Sequence, residues 1–231
     1  MGRVVAVSQW QRGLSDILGT VGDFSRGSGM KSLRLCAEHY LRQWCDQDRE
    51  FHIAFSSKSI GCELLGKMCW KYQVARTVPG RGPDKYKEFA AMLNGYRETT
   101  IERQDVPNII EKELASMRSI YHKGFLSAIT KAFWMMKGHP IVVYDSNARK
   151  GLRYFNLAPG DGDYRTYFDS WFSFFDRPDI QTGLTDAADW LLEKKKIQDQ
   201  ELCNFINSNH FRNRVIDMRL FYAGAAATEK L

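Results

Sequence analysis

No CxxC pair occurs among the five cysteines, Cys36, Cys45, Cys62, Cys69 and Cys203, and their number is odd. That pattern argues against a disulfide framework, a structural zinc site and an iron–sulfur cluster. Cys36, Cys62 and Cys69 fall in helical apolar patterns, as small core residues do. The five histidines have no HxxxH or HxH spacing, so no metal site is expected. No apolar run approaches the ~18 residues of a membrane span. The opening "MGRVVAVSQWQRG" has too short an apolar run for a signal peptide, and "MGRVVAV" lacks the Ser or Thr of a myristoylation signal. A cytoplasmic protein with no membrane partner is expected. No β-hairpin pattern, internal repeat or low-complexity tract is present.

What is there suits a packed protein. The chain has 231 residues, 44% of them hydrophobic and 26% charged, so a sizeable core is expected and disorder is not. One compact unit over 1–231 is expected, built as one domain or as two helical lobes with a cleft between them. Residues 1–30, rich in Gly and Ser, read as an irregular N-terminal segment. The net charge of +6 favours an anionic partner, of which nucleic acid is the commonest.

Periodicity makes the fold all-α, with about eight helices. Leu33, Cys36, Ala37, Tyr40, Leu41 and Trp44 form one apolar stripe. "SSKSIGCELLGKMCWKYQ" reads as a helix with serines at its start. "ARTVPGRGPDK" breaks the pattern and makes an exposed basic loop with Arg76, Arg81 and Lys85. A short helix follows, with Asp84 as a candidate cap. Pro107 and Gly124 bracket the next one. "FLSAITKAFWMMKG" is a further helix, and "PIVVY" is an extended connection or a buried strand. Six aromatics lie within residues 164–174 and are assigned to packing. A long helix near 186–206 and a last one near 210–222 complete the chain. The run Lys194–Lys196 reads as a solvated face.

Two residues carry candidate chemistry. On the helix from 125, Phe125, Leu126, Ile129, Ala132, Phe133 and Met136 cluster on one face, and Lys131 points nearly opposite. It is either a solvent-facing lysine or a lysine facing a nucleic-acid cleft. Asp145 precedes "SNARKGL" and can accept from the N–H groups of a new helical turn, as an N-cap. A carboxylate held that way stays ionised at neutral pH, which also suits a catalyst for a reaction with a developing positive sugar.

The stretch "TKAFWMMKGHPIVVYDSNARKGL", within residues 124–152, resembles the core of the helix–hairpin–helix DNA glycosylase superfamily, especially its 8-oxoguanine-type members. In that family a hairpin leads to a helix bearing the lysine. A short apolar connection rich in Pro and Val follows, and then an aspartate opens the next helix. "FRNRVIDMRLFYAG" is similar to the closing helix of divergent members. The resemblance implies a glycosylase-like helical arrangement and excision of a modified base from double-stranded DNA by a monomer without a cofactor or metal. It implies catalytic roles for Lys131 and Asp145. It places DNA contacts at Lys123, Ser127, Thr130, Lys137, Asn147 and Arg149, with Arg76, Arg81 and Lys85 assisting. The base pocket is expected to be aromatic, with Trp134, Trp171 and Phe172 as candidates. Either Lys131 attacks C1′ and strand cleavage follows, or water attacks. Oxidised guanine and a bulky phage-type base both remain open as substrates. The alternative is a DNA-binding repair or antiphage-defence protein without catalysis.

Overall fold

A computed structural model describes residues 31–228, and the expected irregular segment 1–30 lies outside them. The described residues are helical, with no strand among them. The order is α1 (Leu33–Gln43), a π-helical turn (Trp44–Asp48), α2 (Arg49–Ser57), α3 (Cys62–Lys71), a 3-10 turn (Pro83–Tyr86), α4 (Lys87–Gly95), a 3-10 turn (Arg103–Asp105) and α5 (Val106–Tyr121). Then come α6 (Leu126–Lys137), α7 (Ser146–Tyr154), α8 (Tyr164–Phe175), α9 (Pro178–Lys195), α10 (Gln200–Ile206) and α11 (Asn209–Thr228).

Several boundaries differ from the sequence expectation, each for a local reason. The first helix does not stop at Trp44 but runs on through the π turn into α2, unforeseen because its apolar stripe drifts there. Ser56 and Ser57 do not start α3. Their hydroxyls donate back to carbonyls of α2, and α3 begins after Gly61. Asp84 makes no side-chain cap to the short helix that follows it. The long helix near 186–206 is two helices. Lys196 turns left-handed at φ 50°, and Asp199 caps α10 by accepting from Leu202 N–H at 2.8 Å. Lys194 and Lys195 are not a merely solvated face. Their ammonium groups lie 3.1 and 2.8 Å from the buried carboxylate of Glu38 and tie α9 to α1.

The aromatic run of α8 packs as expected. Tyr164, Tyr167, Phe168, Trp171, Phe172 and Phe174 are all buried. Two of them also hold backbone. "IVVY" is an extended connection rather than a strand, so its polar groups need partners that no sheet supplies. Tyr164 donates to the carbonyl of Val142 at 2.9 Å, and Tyr167 to that of Val143 at 3.0 Å. The Tyr144 N–H donates to the Thr130 hydroxyl at 3.0 Å. The connection is thereby pinned to α6 on one side and α8 on the other, and it delivers Asp145 to the start of α7.

Helices α7 and α11 meet at backbone distance. A Cβ added at Gly151 would overlap the carbonyl oxygen of Leu220, and one at Gly224 would overlap that of Asn147. Both neighbours are main-chain atoms, so no side chain can swing aside. Replacing Gly151 with Ala is therefore expected to push the helices apart and lower stability by about 3 kcal/mol or more, the upper end for overpacking. Ala at Gly95, whose Cβ would meet nothing within 4 Å, is the control. Thermal melting of the two variants checks this. Equal melting temperatures would mean that the contact carries no strain.

Candidate active site

Asp145 caps α7. Its carboxylate accepts from the N–H groups of Asn147 at 2.8 Å and Ala148 at 3.0 Å, so the N-cap reading from sequence holds. Both cap bonds fall on one carboxylate oxygen, and the residue also lines a cavity of about 240 Å³. Lys131 of α6 lines the same cavity. The two residues singled out from sequence thus meet at one site, although they stand on different helices and are separated by the pinned connection.

Other walls come from elements far apart in sequence. Tyr72 follows α3, Gln43 and His39 belong to α1, and Arg214, Asp217, Phe221 and Tyr222 come from α11. The Lys131 ammonium lies 6.0 Å from the centre of the Tyr72 ring. The same walls hold a buried charge cluster. Arg214 donates to Asp217 at 2.8 Å, and its guanidinium sits 4.8 Å above the Trp134 ring. Asp217 also accepts from the Trp171 indole at 2.8 Å. The buried Asp48 carboxylate accepts from Gln43 and from the Tyr72 hydroxyl.

These surroundings set the proton affinities. Burial holds the Lys131 ammonium below the usual lysine range; the charge of Asp145 partly offsets that, and Arg214 reinforces it. Burial also raises the carboxyls of Asp48 and Asp217, which Arg214 opposes. Burial and the Asp48 carboxylate push the Tyr72 phenol up, which keeps it a neutral hydrogen-bond donor. A lysine with a weakened hold on its proton, sharing an aromatic-walled cavity with a fixed carboxylate, can act as a nucleophile or a base.

The remaining sequence candidates separate. Lys123, Arg76 and Arg81 are exposed, and Ser127, Asn147 and Arg149 are half-buried. Thr130 is not available to a phosphate. It is fully buried, and its hydroxyl donates to Leu126 O while accepting from Tyr144 N–H. Lys85 turns inward and donates to the carbonyls of Ala75 and Val78 at 3.0 and 3.2 Å, so the basic loop presents Arg76 and Arg81 without it. Lys137 is spent on the carbonyl of Arg97. The aromatic candidates Trp134, Trp171 and Phe172 are core residues; the aromatic walls are Tyr72, Phe221 and Tyr222. Sequence reasoning missed Arg214 and Asp217. One signal was present: Arg214 falls on the apolar stripe of Phe211, Val215, Met218 and Tyr222, where a charge needs a buried partner.

The chain matches no family model, no curated protein and no solved structure. The site therefore rests on its own geometry.

The charge of Asp145 props up the proton affinity of Lys131. Asp145→Asn is expected to lower the Lys131 pKa further, so its amine becomes reactive at a lower pH. Acylation of Lys131, followed by peptide mass mapping against exposed Lys123, reads this directly. An unchanged pH profile for Lys131 would mean that the two groups do not sense each other.

Proposed function

We propose that the protein is a DNA N-glycosylase that takes a modified base, flipped from the duplex, into the cavity between α6, α7 and α11. The observation that carries this reading is that Lys131 and Asp145 line one cavity of about 240 Å³, just under the range of ~300–1,000 Å³ for drug-sized ligands and so suited to a single ring system. The net charge of +6 suits a polyanionic partner. Tyr72, Phe221 and Tyr222 line the cavity, and aromatic walls suit a planar base.

The chemistry follows from the two groups. The sugar C1′ cannot be reached inside the stack, so the nucleotide must first be extruded. Breaking the C1′–N bond leaves positive charge on the sugar, as in glycoside hydrolysis. The Asp145 carboxylate opposes that charge from a fixed position. The neutral Lys131 amine then attacks C1′ with its lone pair; the bonding electrons leave with the base, which gains a proton. Opening of the sugar ring gives a protonated Schiff base, and loss of a C2′ proton expels the 3′ phosphate and cuts the strand. Where water attacks in place of the amine, base release occurs without cleavage. The reading involves no metal or organic cofactor, and its substrate is duplex DNA bearing a modified base.

Asp145→Asn separates cap from catalyst. Asn caps helices about as well as Asp, so the melting temperature is expected to stay nearly unchanged. Without the carboxylate charge, base release is expected to fall about 10²-fold or more. An Asn variant that melts normally, binds duplex and releases no base supports the reading; one with full activity leaves Asp145 as a cap alone.

Borohydride addresses Lys131. Reduction during turnover is expected to trap a covalent protein–DNA adduct with the native chain and none with Lys131→Gln. An adduct that survives in the Gln variant would place the nucleophile elsewhere.

A further inference from the structure

On α7, Arg149 and Arg153 are spaced four apart and share a face, about 6 Å per step, and Asp145 caps the same helix. The helix thus starts at the cavity, which Asp145 lines, and carries Arg149 and Arg153 about one and two turns further along. The two arginines converge on one atom. Nη1 of Arg149 lies 2.8 Å, and Nη2 of Arg153 2.7 Å, from Oδ1 of Asp161. Arg149 is also steadied by donating to the Tyr144 hydroxyl at 3.3 Å. Asp161 stands in the connection between α7 and α8, between Gly160 and Gly162, both at positive φ. Its side chain is 75% exposed.

A single carboxylate oxygen shared by two guanidiniums leaves a surplus of positive charge there. Arg149 is largely covered, at 21% exposed, but Arg153 and Asp161 are open to solvent, where water and salt screen and weaken an ion pair. A phosphate diester offers two anionic oxygens to the same pair of planar forks and satisfies them better than one carboxylate oxygen does. The arginines are one and two helical turns from the residue that faces the cavity, where the backbone flanking an extruded nucleotide would pass.

We propose that Arg149 and Arg153 form a binding site for a nucleic-acid backbone phosphate, and that Asp161 occupies this site in the free protein and is displaced on binding. The inference rests on reading the cavity as a base pocket. Asp161 then acts as a built-in competitor. It weakens attachment to DNA in general, while a nucleotide that also fills the cavity has the binding energy to expel it.

The test uses the full chain and an unmodified duplex, with anisotropy read across a salt series. Asp161→Asn is expected to bind severalfold more tightly than the native protein. Asp186→Asn, which removes the same charge from an exposed site on α9, is the control and is expected to change affinity far less. Adding Arg149→Gln and Arg153→Gln to Asp161→Asn should cancel the gain and flatten the log–log salt slope by about 0.9 per lost contact. Melting curves verify that each variant is folded. Equal affinities for the Asp161 and Asp186 variants, or no duplex binding by either at low salt, would overturn the proposal. Base release from modified duplex is scored separately. Tighter binding by Asp161→Asn with no release of any base keeps the phosphate site and removes the glycosylase reading. Base release with no effect of Asp161→Asn removes the phosphate site alone.

Discussion

The close approach of α7 and α11 at Gly151 and Gly224 fixes the place of the groups with candidate chemistry. With side chains at those two positions, the helices would stand further apart. Asp145 at the head of α7 would then separate from Arg214 and Asp217 on α11, and the cavity they line together would open. The same contact sets the direction in which α7 points, and so the path of Arg149 and Arg153 away from the cavity. Two glycines, neither of them in the site, therefore determine its width. The other constraint is the connection 141–144, whose carbonyls are held by Tyr164 and Tyr167 and whose last N–H is held by Thr130. It links the helix of Lys131 to the helix of Asp145 at a fixed offset.

At the cavity, the protein buries a cluster of charge. Arg214, Asp217 and Asp48 all lose hydration, and such clusters seldom stabilise a fold relative to apolar packing. Here each charge is engaged: Arg214 by Asp217 and the Trp134 face, Asp217 also by Trp171, Asp48 by Gln43 and Tyr72. The consequence falls on Lys131. Burial lowers its proton affinity and the nearby Arg214 lowers it further, while Asp145 and Asp217 keep the shift within bounds. An amine whose proton affinity is lowered by its surroundings in a cavity is a candidate for a reactive role.

The all-helical class was legible in the sequence, because a 3.6-residue apolar period depends only on local order. So was the capping of α7 by Asp145, since the cap and its N–H donors are neighbours in the chain. What the sequence could not convey is convergence. Gln43, Tyr72 and Arg214 reach the cavity from three distant segments, and no local pattern links them. The inward turn of Lys85 shows the same limit: a lysine in a Pro- and Gly-rich loop reads as solvated until two carbonyls, Ala75 and Val78, are found beside its ammonium. Thr130, next to Lys131 in sequence, faces the interior because adjacent helical positions point about 100° apart.

The central claim is that the cavity accepts a base extruded from DNA and that Lys131 and Asp145 cut it free. The most direct measurement incubates the native chain with a panel of duplexes carrying oxidised guanine or bulky modified bases. Alkali treatment then reveals abasic sites as strand breaks. The account predicts breaks at the modified position of at least one duplex, and none in the unmodified control. Intact strands across the whole panel, from protein that is folded and bound to the duplex, would contradict it.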